Sequence, residues 1–265
     1  MDKSLWQSQV ASATKKHIDF RGVKRLYYSY MGGADIRIDP GGCRSLDEVK
    51  NMRSHYEQQM ELLNRSLTEM GGLCRQVIDL AALSVTHGHT DAAGQIPAVD
   101  ARIDQYERSI ESLCLKLLNR QPDTHDLREV SAALKMITDM ERIGDQAADI
   151  GEIVPFLKGH ITKNCALIRD MGEAASRMVT TAVEAYVNRD ADLARGVQQQ
   201  DDVVDRYFRD IRSDLIRVIT QTPEEVEYAL DLLMIAKYFE RIGDHATNIA
   251  EWVVFSVTGE KENLE

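Results

Sequence analysis

The sequence predicts an all-α protein made of two tandem three-helix bundles, one an internal repeat of the other. Three observations lead there. A twelve-residue segment occurs twice: Glu141-Arg142-Ile143-Gly144-Asp145-Gln146-Ala147-Ala148-Asp149-Ile150-Gly151-Glu152 returns as Glu240-Arg241-Ile242-Gly243-Asp244-His245-Ala246-Thr247-Asn248-Ile249-Ala250-Glu251, with eight of twelve positions identical. Around both copies the apolar residues alternate at spacings of three and four, the period of a helix packed along a bundle. The chain also holds only five prolines in 265 residues and 6% aromatics, while Ala, Leu, Glu, Asp and Arg dominate, as in helical bundles.

The repeat is longer than the twelve-residue segment. Asp100-Ala101-Arg102-Ile103-Asp104-Gln105-Tyr106-Glu107-Arg108 corresponds to Asp201-Asp202-Val203-Val204-Asp205-Arg206-Tyr207-Phe208-Arg209, Met70-Gly71 to Met171-Gly172, and Asp91 to Asp192. From about Arg53 onward, one unit of roughly a hundred residues is used twice.

The chain divides into an N-terminal extension at 1–52, a first bundle at 53–158 and a second at 159–265. The extension mixes Lys15, Lys16, Arg21, Lys24 and Arg25 with aromatics and the glycine-rich stretches Met31-Gly32-Gly33 and Asp39-Pro40-Gly41-Gly42. It shows no helical period and reads as a disordered leader, or as a stretch ahead of a translation start at Met52.

The first bundle's helices are expected at 55–88, 95–120 and 124–156, the last beginning at Asp123 and carrying the seam Ala133, Met136, Met140, Ile143, Ala147, Ile150 and Val154. Those of the second fall at 162–189, 191–220 and 223–257, with Pro155 and Gly159 marking the boundary between repeats. Here Val204, Phe208, Ile211, Leu215 and Val218 form one seam, and Leu232, Ile235, Phe239, Ile242, Ala246, Ile249 and Val253 the other. Thr222-Pro223-Glu224-Glu225 predicts a capping box before the last helix. Gly144 and Gly243 interrupt strong helices beside the seam, which predicts close approach of a neighbouring helix.

The chemistry lies in paired carboxylates. Asp100/Asp104, Glu141/Asp145, Asp201/Asp205 and Glu240/Asp244 are each four residues apart, a step of about 400° and about 6 Å that puts both acids on one helix face. Like charges at that spacing repel, so helix stability does not explain the repetition. On the helical wheel these acids fall away from the seam, as outward groups without shifted pKa values. Four carboxylates from two adjacent helices form an all-oxygen set suited to hard divalent or trivalent cations such as Mg, Mn or Fe. A solvated acidic face is the alternative.

Net charge is −11, from 32 basic and 43 acidic residues, which argues against a nucleic-acid partner and suits cations or basic protein surfaces. Cys43, Cys74, Cys114 and Cys165 lack metal or disulfide spacing and predict reduced thiols in a cytoplasm. No apolar run is long enough to insert in a membrane. His87 and His89 are expected in a loop.

The doubled Glu-Arg-Ile-Gly-Asp motif, set in two three-helix repeats from about 53 to 258, resembles the PhoU family of phosphate-transport accessory proteins. That resemblance implies multinuclear metal clusters on the outer faces of two symmetric bundles, with the motif acids at Asp100, Asp104, Glu141, Asp145, Asp201, Asp205, Glu240 and Asp244, and Asp149 as a lesser candidate. It also implies a homodimer or higher oligomer that bridges the phosphate transporter ATPase subunit and a phosphate sensor histidine kinase, restraining the phosphate-starvation response. A non-enzymatic role agrees with the residues, because no nucleophile–base pair or phosphate-cradling glycine loop appears. A ferritin-like di-metal enzyme would need Glu-x-x-His pairs, and the chain has none. A metal-free helical scaffold is the other alternative.

Overall fold

The seams predicted on the last helix of each repeat are buried along their whole length. Leu232, Ile235, Phe239, Ile242, Ala246, Ile249 and Val253 are fully inaccessible, and their counterparts from Ala133 to Val154 are equally so or nearly so. A computed structural model of the chain describes residues 46–87, 90–120, 122–157 and 163–264. Within them the helices are α1 (Leu46–His87), a single turn α2 (Thr90–Ala93), α3 (Ile96–Leu118), α4 (Thr124–Ile153), α5 (Lys163–Asn188), α6 (Ala191–Gln221) and α7 (Val226–Thr258). Short 3-10 turns, Val154–Leu157 and Pro223–Glu225, follow α4 and precede α7. No strand occurs among the described residues. None of the described helices is long and apolar enough to cross a membrane.

Most predicted boundaries fall within a few residues of those observed; α1 is the exception. It begins at Leu46, inside the segment read as patternless. From Leu46 to Met70 the chain has no Gly or Pro and is rich in Glu, Gln, Met and Leu, so helix propensity carries the element where apolar periodicity is weak. His87, expected in a loop, is the last residue of α1, because the helix runs on to the turnover; the expectations for His89 and for the extension ahead of Leu46 lie outside the described residues.

Caps explain several termini. Asp123 accepts bonds from the His125 and Asp126 amides, both at 2.9 Å, as predicted for the start of α4. Asp190 does the same for α6 with Asp192 and Leu193. The capping box predicted at Thr222 does not form. Its amide bonds back to Val218 at 2.8 Å, closing α6, and its hydroxyl caps nothing. Pro223 therefore opens a 3-10 turn, and Glu225 takes the N-cap position of α7. Gly259, at φ 82, ends α7 in the left-handed region that glycine adopts without strain.

Two crossings join the halves, and both carry the internal symmetry. Where α1 meets α5, a Cβ on Gly71 would lie 2.8 Å from a methyl of Val183, and one on Gly172 would lie 2.9 Å from the Cβ of Ala82. The two seats and the two residues that fill them are related by the same register shift. Where α4 meets α7, Asp139 accepts from Asn248 at 3.3 Å, while the symmetry-related Tyr238 bonds to Asp149. His245 Nδ1 adds a 2.9 Å contact to Asp139, and Arg241 reaches Gln146 at 3.5 Å. Cys74, Cys114 and Cys165 are buried and form no disulfide. Burial pushes the Cys74 and Cys114 thiols up to about 12.

Candidate functional site

The motif acids gather in two grooves. In the first, Asp100 and Asp104 on α3 face Glu141 and Asp145 on α4; in the second, Asp201 and Asp205 on α6 face Glu240 and Asp244 on α7. All eight predicted site residues are thus distributed four and four, as the helix pairing requires.

These acids differ from the expectation of outward groups with ordinary pKa values. Asp100, Glu141 and Asp201 are half-buried, because the cleft between two helices shields a side chain that a single helical wheel places outside. Desolvation is the first cause raising Asp201 to about 6, followed by the charges of Asp205, Asp244, Asp202 and Glu240. Asp100 is raised by desolvation, then by Asp104 and Asp145. Glu141 and Asp244 also move up, each by desolvation first and then by the acid four residues away on its own helix.

The two in-helix glycines make this depth possible. Close helix approach is observed at both, and what approaches nearest is a carboxylate. A Cβ on Gly144 would stand 2.5 Å from Asp100 Oδ1, and one on Gly243 would stand 3.1 Å from Asp201 Oδ1. Asp100 Oδ1 is buried with no hydrogen-bond partner. A charged oxygen left without a donor at the floor of an acidic groove is unfavourable unless a cation or a proton meets it. The donor set, all carboxylate oxygen, fits hard cations.

Basic residues temper both grooves. Arg142 bonds Asp145 at 2.9 Å and approaches Glu141 at 3.4 Å, and Arg108 lies 3.5 Å from Asp104. In the second groove Lys237 pairs with Glu240. No three motif carboxylates share a tight ligand cluster in these rotamers; among the described residues the trio with donor atoms within 4.8 Å is His125, Asp126 and Glu129. Its buried Glu129 is already held by Arg189 through bonds of 3.0 and 2.9 Å, which marks a structural ion pair. Asp149, the lesser candidate, faces Tyr238 at the α4–α7 crossing and lies outside the groove set.

Sequence reasoning passed over Lys237 and Glu107. Lys237 stands one turn before Glu240, and Glu107 one turn after Asp104. Both were legible as i,i+3 neighbours of motif acids.

A sequence model of the PhoU domain matches this chain twice, over residues 67–154 and 168–253. The chain belongs to the PhoU family. Curated relatives include the phosphate-specific transport system accessory protein PhoU homolog of Pseudomonas aeruginosa, 32% identical over 212 residues, covering 79% of this chain and 88% of the relative. A homolog of the same description from Zymomonas mobilis is 31% identical over 220 residues, 82% of this chain and 93% of the relative. The crystal structure of PhoU from Pseudomonas aeruginosa superposes with a TM-score of 0.74 at 32% identity, covering 77% of this chain and all of that one. The phosphate transport system regulatory protein PhoU from Streptococcus pneumoniae gives 0.71 at 25% identity, covering 78% and 99%. Both PhoU matches enclose a groove: the first holds Asp100, Asp104, Glu141 and Asp145, the second the remaining four.

Proposed function

We propose that this PhoU-family protein regulates phosphate-specific transport as a cytoplasmic, metal-binding adaptor without catalytic turnover. The observation that carries the metal reading is the partnerless buried oxygen of Asp100 set against Gly144. Hard cations, whether Mg, Mn or Fe, bind Asp100, Asp104, Glu141 and Asp145 in one groove and Asp201, Asp205, Glu240 and Asp244 in the other. The adaptor reading rests on the relatives' description as accessory proteins of phosphate transport. In it the protein, as a homodimer or higher oligomer, contacts the transporter ATPase subunit and the sensor histidine kinase and restrains the starvation response when phosphate is plentiful. A bound cation would offset the mutual repulsion of the acids and fix the two helices of each groove.

Two experiments test this. Elemental analysis of protein purified without chelator should find metal, and the double substitution Glu240→Gln with Asp244→Asn should remove the second groove's share while leaving the fold intact. Deletion of the gene should switch on a starvation reporter in high phosphate. A silent reporter, with neither partner co-purifying, rules out the adaptor role. The ion pairs of Arg142, Arg108 and Lys237 favour a second reading, a metal-free scaffold whose acids are neutralised internally; metal-free protein with normal regulation would establish it.

A further inference from the structure

The two grooves share their motif acids but differ in what surrounds them. In the second, Lys237 sits one helical turn before Glu240 and forms an ion pair with it. Its ammonium also lies 5.6 Å from the ring centroid of Phe208 on the facing helix, a distance at which the ring's negative face attracts a cation. The same charge opposes the upward push on Asp244. One partly exposed ammonium is therefore held at the groove by two elements at once.

The repeat register places different residues at both positions in the first groove. Thr138 stands where the second half has Lys237, and Glu107 where it has Phe208. The Thr138 hydroxyl turns back onto the Leu134 carbonyl at 3.4 Å and brings no charge to the acids. Glu107 adds a fifth carboxylate whose charge bears on Glu141, as Asp202 does on Asp201 in the second groove. Arg142 is the nearest cation there; like Arg108 beside Asp104, it is exposed and pairs only with acids of its own helix, with no aromatic ring to hold it. It can swing into solvent at little cost.

We infer that Lys237, clamped between Glu240 and Phe208, is a built-in counter-cation that makes the second groove the weaker and more readily exchanged metal site. An entering cation must displace the clamped ammonium from Glu240, whereas in the first groove it displaces exposed arginines that no ring holds. The protein thus has one retained and one responsive site, set by the Thr138/Lys237 and Glu107/Phe208 exchanges among the differences between the halves. The inference rests on the reading that the grooves bind hard cations.

The test is a calorimetric titration of the metal-stripped full chain with Mn²⁺, alongside elemental analysis. Wild-type protein should show two classes of site, the weaker abolished by Glu240→Gln with Asp244→Asn. Lys237→Thr should strengthen the weaker class by roughly three- to tenfold. Adding Phe208→Glu should merge it with the tighter class. Lys237→Met keeps the aliphatic stem and removes the charge, so it separates electrostatics from packing; it should strengthen binding as Lys237→Thr does. Equal affinities in the wild type, or a weaker class unmoved in both Lys237 variants while metal still binds, overturns the inference alone. Absence of metal from both grooves in wild-type protein removes the reading beneath it.

Discussion

The two crossings that join the halves are held by different forces. At α1–α5, Gly71 and Gly172 let Val183 and Ala82 come within contact distance, and Phe239 closes the seat from below. At α4–α7, Asp139, His245, Asn248, Tyr238 and Asp149 form a row of polar contacts above a buried seam. The first contact is specified mainly by size, with a Ser176-to-Asp79 hydrogen bond of 3.0 Å beside it, so most of its energy lies in packing and responds little to salt. The second is specified by hydrogen bonds and charge beside the acid grooves, and it responds to substitutions that leave volume unchanged. The same duplication has therefore kept the packed joint nearly symmetric while the polar joint has diverged, with His245 in one half and Gln146 in the other.

The size-specified joint should give the largest losses. Phe239→Ala empties a fully buried ring site beneath Gly172 and is expected to cost about 3–5 kcal/mol in denaturant unfolding. A fall below 1 kcal/mol would mean that the joint collapses to fill the space. Next comes Gly172→Ala, whose methyl would meet Ala82 at 2.9 Å and the Phe239 ring at 3.0 Å; overpacking of this kind costs about 1–3 kcal/mol. At the polar joint, Asp139→Ala removes the acceptor for both His245 and Asn248, a loss of about 1 kcal/mol. That loss should disappear in a background already carrying His245→Ala and Asn248→Ala. The contrast is sharpest at adjacent residues. Gly72 has nothing within 4 Å of its added Cβ, so Gly72→Ala should raise stability by about 1 kcal/mol through helix propensity, whereas Gly71→Ala should lower it.

The smallest effect expected is a pH slope. Asp201 titrates near 3.8 when unfolded and at about 6 in the fold. Between those values the folded protein keeps a proton that the unfolded chain has lost, so Asp201's contribution to the stability of metal-free protein is fullest below the lower value. That contribution is lost as pH rises toward about 6. Melting temperatures of Asp201→Asn across this range should fall less steeply, the remainder coming from Asp100, Glu141 and Asp244.

The core was readable because periodicity reports burial directly: each apolar residue of the α7 seam needed only its spacing to be placed. The pairing of motif acids was readable for the same reason, since two helices of known face and order must adjoin. Their depth was not. A helical wheel treats Glu141 and Asp201 as outward, but it contains no neighbouring helix, and the neighbour's shielding is what raises them. Gly144 was read as a seat for a helix, while its closest contact is the oxygen of Asp100, a distinction that turns on side-chain reach. Thr222 failed as a cap because its amide is committed to the preceding helix, a competition that a local motif does not encode.

The turn between α5 and α6 bears on how the chain acquires its shape over time. Arg189 and Asp190 alone connect these helices. Arg189 adopts the left-handed conformation at φ 53, and the Asp190 amide closes onto Ala185 at 2.9 Å while its side chain caps the next helix. A reversal coded by two residues costs little loop-closure entropy, so the α5–α6 hairpin is placed to form early and to template α7. The Arg189 guanidinium bonds Glu129, sixty residues back along the chain, so that ion pair closes only once the first half has packed against the turn.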